Sequence, residues 1–491
     1  MKIIMSLAAL LIAINVFPQD TGIKEYQEWK SSSDEYRNFD IGKYFTPDIV
    51  RNQLPINFSF NSNYSNNSMN ELVSEWNAAS KNTTVAGILV SNFSHYVNTR
   101  KKITDFSINL SLNENYVSQN SSNKSDTGSS NIYFSDNNNL NITSTNNLGI
   151  NCINLVYFSK PFYLHYGING GIFYNYTQNK VNNQSSYADQ IPSINQRQKN
   201  FSINFTPQIG IGYGRIENVE DARQAIYIAN ALSKRNILTR NLTNEELFQL
   251  SQKISVVKNK RFLDSRLHLT DEISTVDSFF VQNNLLRDNG AAYFTTLYDM
   301  WQYGALFSRK SGHDLSLVLY PGYVYNNLIY MPAMNVVYLP HQINLTTDLT
   351  YNWERPVKLN WQHSLAAECY LYFIEGKQND TNFNSVFSNY GKILAARGSY
   401  SFGYYPNTRT NFQATVGQQI RRGIFTDNNS YTDYTATFNA GANYYFSPYL
   451  SIAGSYGLNY EHYLSKISSI NHQKNNYFTT LFNIQLIYSI F

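Results

Sequence analysis

Histidines are the residues best suited to metal or acid–base chemistry, and here they are scattered: His95, His165, His268, His313, His341, His363, His462 and His472. No two stand at a helical or strand spacing suited to a shared metal. His363 beside Ser364 is the only close Ser–His pair, and neighbours along an extended chain face opposite sides. The sequence contains no Gly-x-Ser-x-Gly, no P-loop and no His-Glu-x-x-His. The run Gly210-x-Gly212-x-Gly214 ends an extended segment, and its parity reads as small residues on one face rather than a phosphate loop. Cys152 and Cys369 are too few for a disulfide scaffold or a cysteine-rich metal domain. No catalytic constellation, metal or cofactor is expected, and the chain is not expected to be an enzyme. What remains is a set of charged or titratable side chains on the polar faces of alternating segments: Asp105, His165, Asp348, Lys358, Glu368, Arg397 and Arg421. Such charges can set the selectivity of a polar passage. The competing expectation is that they pair with each other or stand at its rims.

The segments that must carry these residues have a period of two. In 341–354, Ile343, Leu345, Thr347, Leu349, Tyr351 and Trp353 oppose Gln342, Asn344, Thr346, Asp348, Thr350 and Asn352. The same alternation recurs in 357–373, 434–446 and 450–460, and near the N-terminus in 56–64, 106–112 and 201–211. These runs are longer than the 5–6 residues usual in globular strands, and long enough for a tilted membrane-spanning strand of about 9–11 residues. An apolar face opposed to a small polar face, repeated many times, is the pattern of a transmembrane barrel. Aromatic residues gather near strand ends, as interfacial girdles do. Fourteen strands are expected, with a range of 12 to 16, at 55–66, 84–98, 103–117, 143–159, 161–176, 200–214, 311–328, 341–353, 357–373, 391–405, 408–422, 434–446, 449–461 and 478–491. The segment 329–340 is ambiguous. Short connections at Ser159-Lys160-Pro161, Glu354-Arg355-Pro356, Pro406-Asn407 and Ser447-Pro448 alternate with long polar ones at 66–82, 118–140, 178–200, 375–390, 427–432 and 461–476. Cys152 and Cys369 fall on apolar faces, which argues against a disulfide.

Composition agrees. The 491 residues carry a net charge of +4 and only 15% charged residues, so little here points to nucleic acid. Aromatic residues make up 15% of the chain, too many for a disordered one. Lys2 followed by the apolar run 3–17 reads as a secretory signal over 1–18. Residues 19–54 read as a polar and aromatic periplasmic segment, and 55–215 and 305–491 as the two parts of the barrel.

One segment breaks the pattern. Over 216–304 the period changes to 3.6 and charged residues increase. Val219, Ala222, Ile226 and Ala229 share a helical face, and Thr243-Asn244-Glu245-Glu246 is a capping box opening a second helix. A third helix starts near Thr270, and 291–304 is a helix or a strand. Strand parity puts this unit on the periplasmic side, either as a small domain or as a plug folded into the lumen. Its most charged stretch, with Lys260, Arg261, Asp264 and Arg266, is a docking or gating surface, or an ordinary solvated face.

The chain resembles Gram-negative outer-membrane β-barrel proteins, and porin-like members in length. The resemblance is one of pattern and covers most of the chain after the signal. The C-terminus looks like the family's assembly signal, with Phe482, Ile484, Leu486, Tyr488 and Ile490 on one face and Phe491 at the end. It departs in phase, because Phe491 falls on the other face; a bulge near the end would restore it. The resemblance implies outer-membrane lipid and the barrel-assembly machinery as partners. It implies an all-β transmembrane barrel with a mostly α-helical periplasmic insertion. The function expected is a passive channel for small polar solutes. The alternative is a non-conducting barrel that holds a periplasmic protein through 216–304, and a barrel hydrolase is a distant third.

Overall fold

The computed structural model describes Tyr36 and residues 39–71, 76–126, 132–159, 161–185, 194–259, 269–303, 307–331, 337–338, 341–380, 385–425, 429–447, 449–467 and 471–488. The strands are β1 (Ile49–Gln53), β2 (Ile56–Glu71), β3 (Trp76–Asn98), β4 (Lys102–Asp126), β5 (Ile132–Ser159), β6 (Phe162–Ser185) and β7 (Ile194–Asn218). Then come four helices, α1 (Glu220–Lys234), α2 (Asn244–Asn259), α3 (Leu269–Gln282) and α4 (Ala291–Tyr303). The chain returns to strands in β8 (Lys310–Met331), β9 (Val337–Tyr338), β10 (His341–Val357), β11 (Trp361–Asp380) and β12 (Ser385–Tyr404). It ends in β13 (Thr410–Phe425), β14 (Ser430–Ser447), β15 (Leu450–Ile467) and β16 (Asn471–Tyr488).

All strands join one antiparallel sheet, and fourteen of them follow one another in the order β1-β3-β4-β5-β6-β7-β8-β10-β11-β12-β13-β14-β15-β16. β1 and β2 lie on the same edge of β3, opposite Ser94–Asn98 and Trp76–Ser91, so they are two halves of one strand interrupted at Leu54-Pro55. This is the order of an unrolled up-and-down barrel. Among the described residues no pairing joins β2 to β16, so the seam carries none of the ladder bonds.

Register shows how the period of two divides the wall. Ile211, Leu317, Leu349, Cys369, Ala396 and Ile420 stand opposite one another in successive strands. One residue along, on the other face, run Asp348, Tyr370, Ala395, Arg421, Asp433 and Tyr463. The first row belongs to a belt of bare apolar side chains: Ile343 is 62% exposed, Leu349 45% and Val416 50%. A water-soluble chain does not leave a continuous apolar belt uncovered. The belt faces lipid, and the fold is a transmembrane β-barrel with a helical insertion.

Several expectations need correction. The described parts of the long polar segments 66–82, 118–140, 178–200, 375–390 and 461–476 are strand, not loop. β5 has 28 residues, about 90 Å of extended chain at ~3.3 Å per residue, far more than a bilayer needs. Asn- and Ser-rich stretches have no apolar face to alternate, yet their backbones continue the ladder beyond the lipid belt. The expected turn Glu354-Arg355-Pro356 lies inside β10, paired with Ser364, His363 and Gln362. The chain reverses two residues later, where Lys358 adopts φ 55°. Residues 49–53, expected in the N-terminal segment, belong to the sheet, and 291–303 is a helix. Residues 1–18 lie outside the described residues.

The helices have their own core, because their apolar residues recur at three and four. Ala222, Ala225, Ile226, Ala229 and Leu232 of α1 meet Leu247, Leu250 and Ile254 of α2, Val276 and Phe280 of α3, and Tyr293 and Leu297 of α4. Each fully buried Leu or Ile contributes about 1.5–3 kcal/mol. Asn236 and Asn284, at φ 55° and 52°, end α1 and α3 in the left-handed conformation. Their following turns are bridged at Leu238 and Leu286. Tyr36, Phe39, Ile41 and Tyr44, from the segment before β1, complete this core.

The capping box forms as read: Thr243 N donates to Glu246 Oε2 (2.8 Å) and Glu246 N to Thr243 Oγ1 (3.2 Å). Arg240 grips the same carboxylate with both Nη atoms, at 2.8 and 2.7 Å. The Arg240 hydrogen bonds hold Glu246 down at about 2. A depressed carboxylate contributes stability above its unfolded value, about 4.3, and loses it as pH falls toward the folded one. Helical-unit stability in the full chain should therefore drop between about pH 4.3 and pH 2. Glu246→Gln, which keeps the cap but not the ion pair, should flatten that slope in a helix-melting series; an unchanged slope would rule Glu246 out as its source.

Candidate functional site: the short-turn mouth and its helical cap

The short turns and both ends of the helical insertion lie at the same end of the sheet. Asn218, the last residue of β7, pairs with Lys310, the first of β8, and Val219 N donates to Arg309 O (2.8 Å). The helical unit thus leaves and re-enters the wall through one narrow stalk.

Arginines fasten this end by donating into the carbonyls of short turns. Arg215 Nη1 donates to Thr99 O (2.9 Å), in the β3–β4 turn. Arg309 Nη1 donates to Leu359 O (2.7 Å), Nη2 to Trp361 O (2.6 Å) and Nε to Gln362 Oε1 (3.0 Å), around the β10–β11 turn. Arg223 of α1 donates to Asn407 O (3.1 Å), in the β12–β13 turn. Arg409, in that same turn, lies 4.0 Å from the Tyr303 ring centroid and 3.4 Å from Asp299, both on α4. Arg223 and Arg309 are each 1% exposed. Burial first, and the nearby Arg223 charge second, press Arg309 down to about 9, which still leaves it charged at neutral pH.

The cap reaches both sides of the wall. Leu359 of the β10–β11 turn belongs to the helical core. Phe307 packs its ring 5.7 Å from Tyr405 and 5.8 Å from Tyr445. On the other side, Gln252 of α2 shares an open cleft with Phe45, Asp48, Thr99, Arg100 and Lys101. The α2 helix also packs against β1, which stands seven places from β10 in the fourteen-strand order. β1 and the β10–β11 turn stand on opposite sides of a rolled wall, so a unit touching both lies across the mouth. A second tie comes from the N-terminal segment. Tyr44 OH lies 2.7 Å from Ser255 Oγ, and Ser255 donates to Asp221, which also holds Lys258. Since Ser255 gives its proton to Asp221, Tyr44 is the donor, and burial raises its phenol above the ordinary value.

The charges read from the sequence lie as follows. Glu368 and Arg397 come together as an ion pair between β11 and β12. Arg421 donates from Nε to Asp433 Oδ2 (3.0 Å), a partner that the sequence reading missed. Asp348 accepts from Thr350 Oγ1 (3.1 Å), and His165 Nε2 lies 3.1 Å from Gln208 Oε1. Asp105 is exposed, opposite Tyr96 and Ile153. Lys358 is no wall charge: it sits in the β10–β11 turn, because the strand starts at Trp361. Of these wall charges, Glu368 is thus paired with Arg397 and Arg421 with Asp433, and Asp348, His165 and Asp105 are not held by an opposite charge in the ion pairs of the described residues. Lys260, Arg261, Asp264 and Arg266 lie outside the described residues, as do Ile490 and Phe491. Phe482, Ile484, Leu486 and Tyr488 are exposed on β16, whose described pairing runs without a bulge.

The class of protein that this geometry defines is a transmembrane β-barrel with one mouth covered. No family model matches the chain. No curated protein matches it either. Two solved structures overlap it broadly at low identity. One is the transport unit of the autotransporter AIDA-I from Escherichia coli, at 8% identity and a TM-score of 0.22, covering 94% of this chain and 97% of that one. The other is OccK7 (OpdD) of Pseudomonas aeruginosa, at 7% identity and a TM-score of 0.18, covering 90% of this chain and all of that one. These likenesses are too slight to argue from, and the barrel class rests on the strand order and the apolar belt.

Proposed function

We propose that the chain is an outer-membrane pore for small polar solutes, closed at its periplasmic mouth by the helical unit in the state described. The observation that carries this reading is the contact of one helical unit with β1 and with the β10–β11 turn, seven places apart in the strand order. A barrel of about eight strands is filled by its own side chains, and fourteen leave room for an aqueous passage. The paired charges Glu368–Arg397 and Arg421–Asp433 favour weak ion selectivity. Outer-membrane lipid and the barrel-assembly machinery are the partners that such a barrel requires, and export through a secretory signal fits the same picture.

A second reading has its own support. Phe294 and Tyr298 stand one turn apart on α4 and are exposed, as is Val281 of α3. A periplasmic protein held there would make the chain an anchor.

Solute flux separates the two. In liposomes of the full chain, Arg409→Ala removes the Tyr303 stack and the Asp299 pair. It should raise permeation of a small neutral sugar several-fold over the unaltered chain. Equal permeation by both would count against the cap as a barrier.

A further inference from the structure

Arg223 and Arg309 are fully buried, and neither forms an ion pair among the described residues. They lie on the Tyr405 ring, with guanidinium carbons 5.2 and 4.8 Å from its centroid. Arg223 Nε is buried without a hydrogen-bond partner. Arg223 Nη2 is held only by neutral oxygens, Tyr227 OH at 3.0 Å and Asn407 O at 3.1 Å. The nearest acids do not neutralise the pair. Glu354 reaches Arg309 only through Gln362, which donates to Glu354 Oε2 (2.9 Å) and accepts from Arg309. Glu220 meets Ser308 and the backbone of Arg309, not its guanidinium. Asp221 is committed to Ser255 and Lys258. Two buried cations satisfied by a ring face and neutral oxygens are an unusual lock, because buried charge without a counter-charge is costly.

We propose that Arg223 and Arg309 form the recognition site for a small oxyanion of the phosphate class, and that the Tyr405 ring occupies this site while the cap is closed. Guanidinium forks bind oxyanions through paired N–H donors. A carboxylate offers one such edge, whereas a phosphate dianion offers two and can serve both arginines. Binding would take Arg223 away from Asn407 and Tyr405, which are its contacts with the β12–β13 turn. The anion would therefore loosen the cap from the solute's side of the barrier. This inference rests on the closed-cap reading.

The test uses amide hydrogen exchange on the full chain in detergent, with inorganic phosphate against chloride at equal ionic strength. Phosphate should speed exchange in 220–226 and 405–409 saturably, and chloride should not. Arg223→Gln should abolish the response. Tyr405→Leu removes the ring that competes for the arginines, and should lower the half-saturating phosphate about tenfold. Equal acceleration by chloride, a full response in Arg223→Gln, or no shift in Tyr405→Leu would each overturn the site. The readout needs no current, so its failure leaves the pore reading standing. A cap-less barrel that does not conduct would remove the pore reading instead.

Discussion

Arg309→Ala is expected to undock the helical cap while leaving the barrel folded. The guanidinium is the common donor for Leu359 O, Trp361 O and Gln362 Oε1, with Lys358 O at 3.4 Å. Alanine leaves Leu359 O and Gln362 Oε1 buried, and Trp361 O half-buried, without this donor, each buried acceptor costing about 1–3 kcal/mol. Part of that is returned, because a buried and unpaired charge disappears as well. The net loss should be about 2–4 kcal/mol in cap stability. It should appear as a lower denaturant midpoint for the Trp301 signal in the full chain, with heat-modifiable migration of the barrel retained. Arg309→Lys should recover only part of the loss, since one ammonium cannot fork to separated carbonyls. A change under about 0.5 kcal/mol, the size of an ordinary surface substitution, would mean that Arg309 clamps nothing.

The second large effect is expected at the lipid belt. Leu349 is exposed between Leu317 and Cys369 in register, with apolar neighbours on both sides. Arginine there must sit in hydrocarbon and should cost about 2–4 kcal/mol near the bilayer midplane. Thr350, the next residue, faces the other way, opposite Ser316 and Glu368. Thr350→Arg loses the bond to Asp348 but stands beside Asp348 and the Glu368–Arg397 pair on the polar face, and should change stability by less than about 1 kcal/mol. Folding equilibria of the two variants in lipid bilayers measure the difference. Equal costs would mean that the two faces do not divide lipid from lumen.

Much of this fold is legible in the residues, and the limits have physical causes. The alternation from Ile343 to Tyr351 places β10 and its lipid face without any structure, because a period of two has one meaning in a half-buried sheet. Strand ends are not legible in the same way. Hydrogen bonding continues β4 to Asp126 and carries β5 back to Ile132, through Asn- and Ser-rich sequence where no alternation marks continuation. The Glu354-Arg355-Pro356 turn misled because proline favours turns, but an edge-compatible proline also fits a strand. The capping box at Thr243 was legible since its geometry is local. α4 was not decided, because Tyr293, Leu297 and Trp301 also suit a strand.

The site was less legible than the fold. Glu368 and Arg397 share a face by parity alone, yet their adjacency depends on the register set by the β11–β12 hairpin. Asp433 stands one residue before the expected strand start at 434, so the partner of Arg421 was passed over. Arg215, Arg223, Arg309 and Arg409 were missed altogether. The first three act on backbone carbonyls, which have no sequence signature, and Arg409 acts on the Tyr303 ring and on Asp299 of α4. The usable signal was position: Arg409 follows the Pro406-Asn407 turn closely, and Arg215 and Arg309 bracket the insertion.

The covered mouth is tested most directly by single-channel recording in planar bilayers. The full chain would be compared with a version in which Asn218 is joined through a short linker to Arg309, deleting 219–308. The full chain should be closed for most of the record, and the shortened chain should show large, long-lived steps of weak ion selectivity. A folded, heat-modifiable barrel that stays silent in both forms would contradict the pore and leave the anchor. Equal steps in both forms would contradict the cap.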